Sequence, residues 1–534
     1  MPAYRVNNLA LWLDEPETLL TKKAAEKLGV TAKDIEAVRV VRSVLDARKK
    51  NSPRYIHTVE VEFAKGKLPK TMPPDVSEVE EAPPPSLPVK RQPDQRPIII
   101  GMGPAGLFCA WELALRGVKT ILLDRGRDVV QRRKDVAKLM RDGTLMPESN
   151  MSFGEGGAGA YTDGKLSTRI NHPHVRKVIE TFAKYGAPDR ILVQGKPHIG
   201  SDLLPLAVEK MRVDLQQMGV EVRFETRVDD ILSKDGVCTG VRLSDGSEIH
   251  SDRVILVPGN SARELFERFA ADERIFIEPK PFALGFRAEH PQALINSIQY
   301  GDKFATNSKL PAADYKLAEN LSIDGDVRGV FSFCMCPGGI VVPTPTEEGM
   351  QCTNGMSNSH RNAKYANAGV VVSVSVEDYA KEGFTGPLAG IAFQRHWETK
   401  AYELGGGKFF APAQSIPDYL AGRVKKAPGG TTYRPGLTHV DLNRLFPAWL
   451  TSSLKQALKA FDRRMKGFIT DEGNLIGIEA RTSTPLRITR NEQLQSVSMK
   501  GLYPGGEGAG YAGGIVSSGI DGLRIADQIC AELS

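Results

Sequence analysis

The sequence predicts an α/β protein: a Rossmann-like dinucleotide-binding domain with an inserted β-rich substrate domain and a small N-terminal α+β module. Three observations predict it. A G-x-G-x-x-G run, Gly101-Met102-Gly103-Pro104-Ala105-Gly106, lies between two apolar stretches. A Pro-rich break separates it from the N-terminal residues. After a long stretch of different texture, dense glycines return at Gly501–Gly514. The expected units are a module over 1–63, a linker over 64–95, a dinucleotide domain over 96–275 and 481–534, and the insertion over 276–480.

The organising stretch is Pro97–Gly126. Ile98-Ile99-Ile100 reads as a buried strand, Leu107–Gly117 as a helix, and Ile121-Leu122-Leu123 as a second strand ending in Asp124. Gly101 allows the tight turn, Gly103 lets a pyrophosphate approach the backbone, and Gly106 lets the helix pack closely on the strand. The helix that starts at Pro104 offers free N–H groups, from Ala105 onward, to phosphate. Asp124, followed by Arg125, can accept hydrogen bonds from ribose hydroxyls.

Before this unit, the module reads as a strand over Tyr4–Leu13, a helix over Glu15–Leu28, and strands at Val38–Val41 and Tyr55–Phe63. Its basic segment from Arg39 to Lys50 reads as a solvated face, since the module holds 11 basic and 9 acidic residues. Nine prolines between Ala64 and Pro97, including Pro83-Pro84-Pro85, read as an extended linker. A charged helix is expected over Asp128–Arg141.

A second glycine-rich loop follows, Gly154-Glu155-Gly156-Gly157-Ala158-Gly159 and on to Lys165 and Leu166. Such a glycine density costs folding entropy, and close approach of the backbone to a flavin ring and ribityl chain would explain it. Val220–Val228 reads as a strand. Val237–Leu243 and Glu248–His250 read as a hairpin, and Val254–Val257 as a strand that ends at Gly259 and returns the chain towards the pyrophosphate. The insertion carries strand-like runs and long loops, with a helical pattern at Ala448–Phe461.

The 70 basic and 64 acidic residues leave a charge of +6, which at 534 residues gives no argument for nucleic acid. No apolar run reaches membrane-spanning length. Met1–Arg5 lacks an apolar signal segment, and six scattered cysteines show neither CxxC nor zinc spacing, so a cytoplasmic protein without a metal site is expected.

Gly101–Gly106 with Asp124, Val254–Gly259, and Gly501–Ile515 together resemble the FAD-dependent flavoproteins with two dinucleotide-binding domains. Phe153–Leu166 and Pro504–Gly519 narrow the resemblance to an uncharacterised bacterial family of FAD-dependent dehydrogenases. The resemblance implies FAD as cofactor and oxidoreductase activity. It implies that Gly101, Gly103, Ala105 and Gly106 hold the pyrophosphate, Asp124 the adenosine ribose, and Val228 the adenine through its backbone. Gly506 and Glu507 would meet the ribityl-phosphate region, and Gly514 and Ile515 the pyrimidine edge of the flavin. Asp124 departs from the many relatives of that class that carry Glu.

For the chemistry, Cys334-Met335-Cys336 is a candidate redox or nucleophilic pair, and also a natural pair of packed hydrophobes. His360 is a candidate acid in a polar loop, as is His396 in a helix, and Arg481 a candidate anion ligand. No second G-x-G-x-x-G is visible, so electrons come from the substrate, from NAD(P)H binding transiently, or from a partner protein. The alternatives are an FAD-containing RNA-binding or RNA-modifying protein, or one that uses FAD structurally. Substrate and oligomeric state are not legible.

Overall fold

The computed structural model describes residues 3–50, 52–69, 71–79, 87–425 and 429–534. The Pro83–Pro85 part of the expected linker lies outside them.

Residues 3–79 form a four-stranded antiparallel sheet ordered Ile35–Asp46, Arg54–Phe63, Ala3–Trp12, Val76–Glu78. The helix Leu19–Leu28 lays Leu20, Ala24, Ala25 and Leu28 on Val6, Leu9, Val59 and Val61. Val76–Glu78 falls in the expected linker, yet it adds an edge strand to this sheet. Within the basic segment, Arg39 pairs with Glu60 and Arg48 with Asp46. The sheet is anchored on the rest of the chain by the Ser43 N–H, which donates to Val193 O (2.7 Å), and by Tyr55, whose hydroxyl donates to Lys309 O.

The next unit holds a five-stranded parallel sheet ordered Leu502–Pro504, Val254–Leu256, Ile98–Ile100, Ile121–Leu123, Glu221–Arg223. Its inner strands are short unbroken apolar runs, as strands covered on both faces require. The expected strand Val220–Val228 is two strands: Glu225 takes a positive φ of 51°, which breaks Glu221–Arg223 from Val228–Lys234. The second of these opens a three-stranded antiparallel sheet with Val237–Leu243 and Glu248–His250.

The helix Pro104–Leu115 crosses the last helix, Ile515–Glu532, at backbone distance. A Cβ at Gly522 would stand 2.0 Å from Ala105 O, and one at Gly106 would stand 1.9 Å from Gly101 O. Phe108, Ile520, Leu523 and Ala526 fill the interface beside this crossing.

The chain leaves this unit along Ile277–Pro279 and returns along Leu486–Ile488, which pair antiparallel as a neck. Beyond the neck lies an eight-stranded, mainly antiparallel sheet. Phe282–Pro291 runs through its middle, between Tyr365–Val374 and Asn474–Glu479. The helices Ala389–Leu404 and Ala448–Arg464 cover it, with Phe286, Phe393, Leu458 and Phe461 in the core between.

Gly522→Ala should lower stability by at least about 2 kcal/mol, because no flexible group can yield to the new methyl. Gly513→Ala, where a Cβ would meet nothing within 4 Å, should leave the thermal midpoint unchanged. Thermal unfolding of the two variants beside the parent checks both.

Candidate functional site

All five parallel strands end at the same edge, and the glycine segments emerge there together. The resulting cleft has a volume of about 530 Å³, within the ordinary range for ligand pockets. Gly101, Gly103, Pro104 and Ala105 line it, along with Asp124, Arg125 and Val228 from the neighbouring strand ends. Gly157, Gly259, Gly506 and Glu507 close the other side. This is the carboxyl edge of a parallel sheet, where such folds bind ligands.

The cradle depends on absent side chains. A Cβ on Gly157 would come within 2.9 Å of Gly103 Cα, and one on Gly508 within 2.4 Å of Gly259 O. Asp521 of the last helix accepts from Gly506 N (2.8 Å) and is gripped by Arg490 at 2.6 and 3.0 Å. Arg132 is fully buried and donates to the carbonyls of Asn150 and Glu155, so it holds the second glycine loop from behind. Pro104 carries no N–H, and the first-turn N–H of Ala105 has no partner within the helix where Ala105 lines the cleft. These features fit a dinucleotide.

Several of the other expected cofactor residues lie off the cleft lining. Gly106 sits behind the cleft as a packing glycine. Leu166 is buried in the core, and Ile515 packs at Gly159. Gly514 caps the last helix and is exposed. Lys165 turns away from the cleft lining towards the cysteines. Asp124 lines the cleft, yet its two oxygens accept from Met102 N and Gly126 N, both at 2.8 Å. The acid therefore clamps two backbone turns of the cleft wall. Arg125 lies over the Phe153 ring at 4.0 Å and pairs with Glu148 and Glu264.

Glu507 receives a hydrogen bond from Asn260 Nδ2 at 3.1 Å. Burial pushes its carboxyl up to about 7, against the pull of Lys280, so it can hold or release a proton near neutrality.

Behind Glu507 lies a buried polar cluster. Cys334 and Cys336 occupy a bulged part of the strand Asp326–Pro343, and Cys334 adopts φ +42°. Lys165 Nζ lies 3.9 Å from Cys336 Sγ and 3.3 Å from Asp163. Arg287, wholly buried, donates to Cys334 O (2.6 Å), Cys336 Sγ (3.5 Å), Asn367 Oδ1 (2.8 Å) and Glu479 Oε2 (2.9 Å). Burial raises Glu479 to about 7 even beside Arg287.

Two expected catalytic residues stand apart from this cluster. His360 is exposed on its loop; its neighbour Arg361 turns inward instead and pairs with both Asp163 oxygens (2.9 and 2.5 Å). Arg481 is committed inside the protein. It grips Glu398 at 3.0 Å through two nitrogens and donates to Thr346 and Ser261, while Arg263 grips the same carboxylate at 2.8 and 2.9 Å. Two guanidiniums hold Glu398 down at about 2 despite burial. Arg481 is thus a strut at the neck and not an open anion site. His396 lies against Phe384 and Trp397.

The sequence reading missed Arg287, Glu479, Asp163 and Arg361. Arg287 and Glu479 did leave a signal, as charges inside otherwise apolar strand-like runs.

A protein of Clostridium beijerinckii, described only as uncharacterised, is 40% identical over 539 residues, covering 99% of this chain and 98% of that one. The chain belongs to its family. Residues 281–482 match the family model described as FAD-dependent protein, C-terminal domain-like, and residues 3–62 match a domain of unknown function. The FAD-dependent description and the dinucleotide cleft agree, and FAD is the cofactor. Among solved structures, glycerol-3-phosphate dehydrogenase of Bacillus halodurans complexed with FAD is 11% identical at TM-score 0.36, covering 82% of this chain and 65% of that one. Glycine oxidase of Bacillus cereus is 12% identical at TM-score 0.33, covering 82% and 97%. At these scores neither likeness carries an argument. No helix among the described residues is long and apolar enough to cross a membrane.

Arg481→Met should cost about 3–5 kcal/mol, since it strips one partner from a buried carboxylate, whereas His360→Ala should stay within about 0.5 kcal/mol of the parent. Chemical denaturation measures both. A second expectation concerns pH. The Glu507 carboxyl ionises near 4.5 when unfolded and near 7 when folded, so its neutral form stabilises the fold fully below pH 4.5. That stability, up to about 3 kcal/mol, is lost as pH rises through 7. The thermal midpoint of the FAD-free protein should fall between pH 5 and 8, and Glu507→Gln should flatten that fall.

Proposed function

We propose that the protein is an FAD-dependent oxidoreductase, a dehydrogenase or reductase, which takes a small or medium-sized substrate between the cofactor cleft and the inserted sheet. NAD(P)H acts as a transient electron donor. The observation that carries this reading is the meeting of the cleft with titratable groups of both units. Glu507 lines the cleft, and the Cys334–Lys165–Arg287 cluster stands behind it, near enough for Cys334 to raise the Glu507 carboxyl.

Bound FAD supplies two-electron chemistry. The chain's own groups supply the rest. The glycine turns and the start of helix Pro104–Leu115 hold the pyrophosphate. Glu507, with Asn260 fixing one oxygen, orients a hydroxyl and holds a proton near neutral pH. Lys165, from the loop that also gives Gly157 to the cleft, places a positive charge where the two units meet.

The purified protein should show a flavin absorption band, and anaerobic addition of NADH or NADPH should bleach it. Failure to retain added FAD would overturn the oxidoreductase reading. A retained band that neither nicotinamide bleaches would remove NAD(P)H as donor. Glu507→Ala should weaken FAD retention about tenfold, or about 1.4 kcal/mol, in equilibrium dialysis.

A further inference from the structure

Cys334 and Cys336 sit where a regular strand is deliberately interrupted. Residues two apart in a strand are roughly 6.6 Å apart, at the upper edge of the Cα spacing a disulfide tolerates. Here the strand Asp326–Pro343 shifts register on both sides of Cys336, and Cys334 takes the left-handed conformation that a side-chain-bearing residue seldom adopts. The departure folds the strand back on itself, so that the Cys336 thiol donates to the Cys334 carbonyl oxygen at 3.3 Å. Ordinary sheet packing would require neither the bulge nor the left-handed cysteine.

The pair is also asymmetric. Cys334 is half-buried and Cys336 is buried. Two cations flank them: Arg287 Nη2 at 3.5 Å and Lys165 Nζ at 3.9 Å from Cys336 Sγ. The nearby carboxylates are largely answered, Asp163 by Arg361 and Glu479 by Arg287. The neighbouring Cys336 side chain, then Lys165 and Arg287, pull the Cys334 thiol well below its usual range, while Cys334 and burial push Cys336 up. One thiolate beside one thiol is the state from which a disulfide closes.

We propose that Cys334 and Cys336 form a dithiol–disulfide couple that exchanges two electrons with the bound FAD. This rests on the oxidoreductase reading above and names the protein group through which electrons pass. In the closing direction one S–S bond forms between Cys334 and Cys336. The thiolate and the thiol together give up two electrons and one proton, which oxidised FAD accepts. In the opening direction reduced FAD returns two electrons and a proton, and the bond cleaves to thiol and thiolate.

The test is an anaerobic dithionite titration of the oxidised FAD-bound protein, with absorbance as the readout. The parent should take up four electrons per FAD, and Cys334→Ser and Cys336→Ser two each. Two electrons per FAD in the parent would overturn the proposal. A thiol count on the parent serves if the variants do not fold. After oxidation with diamide and alkylation in denaturant, four of the six cysteines should be labelled, and the Cys334–Cys336 peptide should be lighter by two hydrogens. Six labelled cysteines would overturn the couple. A protein that retains no FAD defeats the oxidoreductase reading, and the thiol count still decides the couple.

Discussion

The strand Val254–Leu256 must pair on one side with Ile98–Ile100 and on the other with Leu502–Pro504. That single pairing governs the molecule. Everything between residues 256 and 502 has to leave the sheet and come back to it within a strand's width. The neck Ile277–Pro279 with Leu486–Ile488 makes the exit and the return adjacent. Whatever lies beyond the neck is free to be a self-contained body, and the large sheet with its own apolar core is one.

The same pairing builds the cleft. Three glycine turns, separated by about a hundred and fifty to four hundred residues of chain, reach one edge because their strands are hydrogen-bonded neighbours. Their carbonyls and Cα atoms approach so closely that only glycine fits at several points. Charged side chains then fix the turns from outside: Asp124 across Met102 and Gly126, Asp521 on Gly506, and Arg132 behind the second loop.

The glycine turns were legible because their requirement is local: a backbone that must bend or approach closely excludes other residues. What was not legible depends on distant partners. Arg481 reads as an open cation until Glu398, 83 residues earlier, is seen to hold it. His360 and Arg361 are neighbours in one polar loop, and Arg361 turns inward to Asp163, 198 residues earlier. Asp124 reads as a ribose ligand, and its bond to Met102 N depends on a turn 22 residues earlier in the chain. Val76–Glu78 is too short, and too near prolines, to announce itself as a strand. The cysteines could be read as a pair, but the cations that surround them come from residues 165 and 287.

The order of the strands has a consequence for biosynthesis. The edge strand Leu502–Pro504, the turn at Gly506 and the helix that supplies Asp521 are all made after the other walls of the cleft. A nascent chain can fold the N-terminal sheet, and then the inserted sheet, while the cleft still lacks one wall. Domains generally fold as units as they emerge. The cleft is therefore completed only as the helix Ile515–Glu532 docks against Ala105.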